Sequence, residues 1–319
     1  MNCRLTLVVL LLATTGSVAV SQPKAEDART SHRIVVADYS KRRIAIVDAK
    51  GKIEWEYKIG DLHDLHTLPG GNLLFQTSFT RIVEVDPRTS KIVWEYDAKK
   101  SNGNEGKPVE VHAFQRLANG ATMIAESGPA RIIEVDRDGT LLRQIKLQVA
   151  NPRPHGDTRL VRKLENGHYL VCHESQGAVR EYDSAGKVVW DYAVPLFGQK
   201  PRGGHGPEAW GNAVFAALRL PNGNTLISTG NGHSVIEVTP AKEIVWHLKQ
   251  DDLPGIKLAW VTTLQVLPNG HIVIGNCHAG PKNPQIIEIT REKRVVWSFR
   301  DFTNFGDATS NSVVLEDLW

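Results

Sequence analysis

The chain has 319 residues, 41% of them hydrophobic and 23% charged, a balance that excludes intrinsic disorder. Lys and Arg number 38 against 35 Asp and Glu, leaving +3, too small a charge to point to nucleic acid or an anionic membrane as partner.

The first predicted element is a leader. Arg4 precedes an apolar run from Leu5 to Ala13, and small residues follow from Gly16 to Ser21. This pattern reads as a secretory signal over residues 1–21, cleaved after Ala19 or Ser21, with a linker over 22–31. The apolar run is shorter than the roughly 20 residues a bilayer span needs, and an uncleaved anchor is the alternative. Cys3 would leave with the signal. No later stretch is apolar enough to span a membrane, so the mature chain is expected in the periplasm or outside the cell. Cys172 and Cys277 remain in non-adjacent units, and are expected as buried free thiols although an oxidising compartment permits a bridge.

Residues 32–319 read as one domain made of a repeat. Asp48–Trp55, Asp86–Trp94, Asp136–Arg143, Asp183–Trp190, Thr239–Trp246 and Thr290–Trp297 share one pattern, Asp/Thr followed by a turn and two β-formers before Trp. The Trp column, with Arg143 substituting once, steps by 39, 49, 47, 56 and 51 residues, which are propeller periods. A second column lies upstream: Gly70-Gly71, then Asn119-Gly120, Asn166-Gly167, Asn222-Gly223 and Asn269-Gly270. Asn-Gly between strands predicts a two-residue type I′ hairpin. Each unit is therefore strand A, hairpin, strand B, loop, strand C, tight turn, strand D. The first unit, starting at His32, lacks strand A, and Ser310–Glu316 supplies a surplus strand at the other end. The fold class is all-β: a six-bladed β-propeller of four-stranded antiparallel blades, closed by a C-terminal strand completing the first blade, with seven as the other ring size to consider. Closure removes an open sheet edge.

The D–A connections and B–C loops fall on one face, and the unusual polar residues cluster there. Counting eight back from each hairpin Gly gives His63, His112, Arg159, Phe215 and Thr262, near the start of strand A. In a two-residue hairpin these oppose Ser78, Ser127, Glu174, Gly230 and Cys277, which makes Arg159 and Glu174 a charged pair. Glu126 and His173 lie one residue earlier on strand B, and the loops add His155, His205, Glu208, Asn212, His233 and His278. The segment Pro201–Asn212 departs most from the repeat; its glycines would admit a ligand close to the backbone, beside His205, Glu208 and Trp210. By contrast, Glu84, Glu134, Glu181, Glu237 and Glu288 recur at one position of strand C in five units, so that column reads as architectural, as does the Trp column.

The Asp-x-x-Gly-Lys-x-x-Trp column resembles the PQQ-type, quinoprotein-like propeller repeat, and His63–Phe75 is similar to the repeat of arylsulfotransferase-like propellers. The resemblance implies the fold for nearly the whole mature chain. For activity it implies a channel histidine that passes a sulfuryl group, with His63, His112, His155, His173 and Arg159 as the residues concerned. Quinoprotein dehydrogenases have eight blades and a vicinal disulfide; six units and no Cys-Cys pair argue against bound PQQ, whereas a divalent metal is compatible with His155, His173, His205 and His278. The leading expectation is a binding or interaction module whose His-rich mouth takes a small molecule, a saccharide or another exported protein. An enzyme using the same histidines, for sulfuryl transfer or as a metal-dependent polysaccharide lyase or hydrolase, is the alternative.

Overall fold

The computed structural model describes residues 31–315, so the expected signal peptide and nearly all of the linker lie outside the described residues. Blade 1 holds β1 (Arg33–Asp38), β2 (Arg43–Val47) and β3 (Ile53–Lys58); blade 2 holds β4 (Leu65–Thr67), β5 (Leu73–Ser78), β6 (Arg81–Asp86) and β7 (Lys91–Asp97). Blade 3 is β8 (Glu110–Arg116), β9 (Thr122–Ser127), β10 (Arg131–Val135) and β11 (Leu141–Lys146). Blade 4 is β12 (Val161–Lys163), β13 (Tyr169–His173), β14 (Ala178–Tyr182) and β15 (Val188–Ala193). Blade 5 is β16 (Ala216–Arg219), β17 (Thr225–Ser228), β18 (Val235–Val238) and β19 (Ile244–Leu248). Blade 6 is β20 (Trp260–Val266), β21 (Ile272–Cys277), β22 (Ile286–Ile289) and β23 (Val295–Phe299), and the chain ends on β24 (Thr309–Leu315).

The expected six-bladed ring is what forms. β24 pairs antiparallel with β1, opposing Val313 to Val35 and Ser312 to Val36, and so supplies the strand that blade 1 lacks. The same strand is tied to blade 6 by Gln265, whose amide donates to Val314 O and accepts from Val314 N. Second and third strands are buried almost throughout, while the fourth strands alternate or stay exposed, as an outer edge should. Among the described residues no helix is long and apolar enough to cross a membrane. Cys172 and Cys277 are buried free thiols.

The hairpins differ from the two-residue type I′ expectation. Leu117 N donates to Ala121 O and Gly120 N to Leu117 O, which leaves a three-residue loop, Ala118 to Gly120. Gly120 is left-handed at φ +85° while Asn119 is not, so this is a type I turn closed by a left-handed glycine. Asn119 instead accepts Ala121 N through its side chain. The extra loop residue moves every partner counted from the turn by one position. In blade 3 the strand then bulges at His112: Val111 opposes Glu126, Ala113 opposes Ala125, and Glu110 rather than His112 opposes Ser127.

The two repeated columns turn out to be cross-strand partners with one job. Glu84 opposes Trp94, Glu181 opposes Trp190, Glu237 opposes Trp246 and Glu288 opposes Trp297. Each Glu accepts from the next blade: Glu84 from Arg116 and Arg137, Glu134 from Lys163 and Tyr169, Glu181 from Arg219, Glu237 from Arg291, and Glu288 from His32 across the ring closure. The indoles of Trp55, Trp94, Trp190 and Trp246 also reach forward: Trp94 Nε1 donates to Arg137 O at 2.8 Å and Trp246 Nε1 to Arg291 O at 2.8 Å. Arg116, Arg219 and Arg291 lie over the rings of Trp94, Trp190 and Trp246 at 4.5–5.3 Å. Arg143 explains its own exception. Its guanidinium donates to Ser184 O, the equivalent turn of the next blade.

Trp94 is 7% exposed and Arg143 is exposed, so the two substitutions should separate. Trp94→Ala is expected to cost about 3 kcal/mol in urea unfolding and Arg143→Ala less than about 1 kcal/mol. Equal losses would remove the clamp from the account.

Candidate functional site

The predicted face carries a cavity of about 300 Å³ at the end of the central axis. Its walls come only from D–A connections, B–C loops and the adjoining strand ends. Six expected residues line it: His63, His155, Arg159, Glu174, His205 and His278. His112 stands directly behind, fully buried, with its Nδ1 2.8 Å from His63 Nδ1.

The chain holds these groups by local backbone bonds. His63 N donates to Gln76 Oε1, and Asn311 of β24 donates to His63 O, so ring closure fixes the first histidine. Arg159 N donates to Cys172 O; its guanidinium lies 2.6 Å from Glu174 and also donates to His155 O. The charged pair was expected from a hairpin register that is off by one; it forms because Glu174 leaves β13 on a 3-10 turn that carries it back toward Arg159. His205 stacks on Trp260 at 5.0 Å and lies 5.2 Å from His278, which is left-handed at φ +61°. His278 Nε2 is 3.5 Å from Tyr39 Oη.

The site is electrostatically quiet. Burial, then Arg159 and the neighbouring imidazoles, holds His63 well below the ordinary range and His112 down to about 4, and burial lowers His278. Burial raises Glu174 while Arg159 draws it back. At neutral pH, therefore, His63, His112 and His278 are neutral donor–acceptors, and the one strong cation already has its anion.

Other expected residues lie elsewhere. Glu126 is buried between blades, accepting from Arg131, Asn104 and Tyr96. His173 is buried between Asp157 O at 3.0 Å and Tyr182 Oη at 2.9 Å. His233 is buried in a left-handed turn, bonded to Ala209 O. Trp210 donates to Leu196 O and lines a separate cleft with Phe197 and His247; Asn212 donates to Val194 O. Glu208 is exposed, and its carboxylate lies where a Cβ on Gly206 would meet it at 2.5 Å, while a Cβ on Gly211 would meet Asn231 at 2.3 Å. Those glycines make room for the loop's own side chains. The proposed metal set of His155, His173, His205 and His278 does not come together, because His173 is sealed between blades.

Sequence reasoning missed the aromatic half of the wall: Tyr39, Phe79 and Trp260, with Asp61 beside them. It also missed Glu110, whose Oε2 lies 2.9 Å from His155 and 3.1 Å from His112. A positional signal was present. Tyr39, Phe79, Glu174 and His278 each directly follow the second strand of their blade, and all four face the cavity.

The pattern of the family described as outer membrane protein assembly factor BamB matches residues 40–299. No curated protein matches the sequence. Among solved structures, a protein of unknown function from Bacteroides caccae superimposes with a TM-score of 0.73 at 24% identity, covering 90% of this chain and 100% of that one. A streptogramin B lyase gives 0.56 at 14% identity over 85% and 80% of the two chains. Virginiamycin B lyase from Staphylococcus aureus gives 0.54 at 13% identity over 87% and 86%. At these identities the likeness is one of fold.

His173 gives a pH test of the inter-blade assignment. Burial lowers its folded pKa from 6.5 to about 4. The unfolded chain takes up this proton first, so the contribution to stability is complete above pH 6.5 and is lost as pH falls toward 4, by roughly 3 kcal/mol. His173→Gln should flatten urea stability between about pH 7.5 and about pH 4.5 relative to wild type. An unchanged slope would contradict the assignment. With the face, its walls and the structural histidines separated, the match over residues 40–299 gives the family: this chain belongs to the PQQ-like propeller family described as outer membrane protein assembly factor BamB.

Proposed function

We propose that this protein is an exported binding propeller whose cavity takes a compact, non-anionic, hydroxyl-rich small molecule, of the size of one or two sugar rings. One observation carries the reading. Polar groups from blades 1, 2, 4, 5 and 6 converge on a single cavity of about 300 Å³ whose one guanidinium, Arg159, is already paired with Glu174. Neutral imidazoles exchange hydrogen bonds with hydroxyls in either direction, and Phe79, Phe215 and Trp260 supply apolar walls. An anionic ligand would have to displace Glu174 from Arg159 or leave its own charge unpaired. The leader-like residues 1–21 support export.

A catalytic second reading is favoured by His63. Its Nδ1 is held by His112, and its Nε2 has no protein partner among the described residues, which suits a proton acceptor or nucleophile. Sulfuryl transfer is the form this takes under the resemblance of His63–Phe75.

Calorimetry against a panel of mono- and disaccharides should find a ligand whose affinity falls about 10-fold or more in His205→Ala and in His278→Ala, and is unchanged in His247→Ala at the separate cleft. A ligand indifferent to the first two changes, or a panel with no binder, would overturn the binding reading. Turnover abolished in His63→Ala with ligand affinity retained would establish the catalytic one.

A further inference from the structure

Beside the ligand wall lies a second donor cluster, where β8 meets the connection between β11 and β12. Glu110 Oε2, His112 Nε2 and His155 Nδ1 all lie within 4.8 Å of one another. The two imidazole nitrogens meet the same carboxylate oxygen, at 3.1 Å and 2.9 Å. Glu288 shows the contrast. It also holds two histidines, but His32 takes one oxygen and His271 the other, so the nitrogens diverge and fasten two blades. In the Glu110 cluster both nitrogens converge on one oxygen, with His112 Nε2 also 3.2 Å from Pro154 O, and a cation there would take the place of the two N–H protons.

The backbone makes this convergence possible. The bulge in β8 gives His112 an unpaired position two residues from Glu110, and the long connection between β11 and β12 brings His155 across from the next blade. Ligands about 2.0–2.1 Å from a tetrahedral cation stand about 3.3 Å apart, so separations of 2.9–3.1 Å need only small side-chain adjustments. Arg159 is the nearby cation, and Glu174 compensates it at 2.6 Å.

We propose that Glu110, His112 and His155 form a site for a zinc-type divalent cation, with its fourth position open toward the cavity that His155 lines. Two imidazoles and a carboxylate suit Zn²⁺ and neighbouring first-row ions rather than Mg²⁺, which prefers an all-oxygen set. The surroundings fit. With Nε2 on the cation, His112 carries its proton on Nδ1 and donates it to His63 Nδ1, the outer-shell bond that orients a metal-bound imidazole. His63 then presents Nε2–H, so the cation would set whether that atom donates or accepts. The site needs no cavity ligand and stands apart from the saccharide reading.

Calorimetric titration of chelator-stripped full-length protein with ZnCl₂ should show one ion per chain, with MgCl₂ giving no comparable heat. His155→Ala, in an exposed loop, should weaken zinc by about 100-fold or more, Glu110→Gln should do likewise, and His205→Ala should bind as wild type. Thermal unfolding of each variant separates lost binding from lost fold, and His155→Ala decides the matter if Glu110→Gln unfolds. Absence of stoichiometric zinc binding by wild type, undiminished binding by His155→Ala, or an equal loss in His205→Ala would overturn the site.

Discussion

Everything in this molecule depends on joining wedge-shaped sheets that cannot bury their faces alone. The joint is the forward reach from one blade to the next: a buried or part-buried Glu on the third strand and a Trp opposite it on the fourth, both bonded to the following blade. Removing one partner leaves a carboxylate facing apolar surroundings, which is why the column is so uniform. Blade 1 has Ile46 at the Glu position, opposite Trp55. There the forward joint is made by the Trp55 indole, which donates to Ser90 Oγ of blade 2, and by Ile46 packed with Phe75. On the other side of blade 1, β24 ladders onto β1 and holds β20 of blade 6 through Gln265, Thr262 and Thr263.

That closure also builds the site. Asn311 holds His63, Ser310 lines the cavity, and Tyr39 enters from the loop after β1. Within the ring, Arg162 of blade 4 grips Asp64 of blade 2 with two bonds of 2.8 Å, and Phe114 N of blade 3 donates to the same carboxylate. Arg162 outweighs the burial of Asp64 and keeps it ionised. Three blades are thus locked beneath the residues that face ligand, and the cavity inherits rigidity from strands rather than loops.

The fold was legible in the sequence because its determinants are periodic. Asp48 accepts Lys50 N and Lys52 N, and Asp183 accepts Ala185 N and Lys187 N, so the Asp column is a turn device that must recur in every blade. The face was legible too, since loop length and departures from the repeat mark it. Individual site residues were legible only in part: His63, His155, Arg159, Glu174, His205 and His278 line the cavity, and others do not. A three-residue hairpin and a bulge at His112 each move the register by one, and one step turns a side chain from channel to blade interface. Glu126 and His173 were misplaced by that step. Tyr39 and Phe79 were missed because only polar types were sought at positions where the blades supply aromatic rings as well.

The account's central claim is that closure by β24 constrains the whole ring and not blade 1 alone. Hydrogen exchange of Val313→Pro, which breaks the β24–β1 ladder opposite Val35 while leaving the chain otherwise intact, tests it directly. The account predicts that amide protection falls in all six blades together, including β8 and β13 far from the substitution. Loss confined to β1, β2, β3 and β24, with the other blades protected as in wild type, would contradict it.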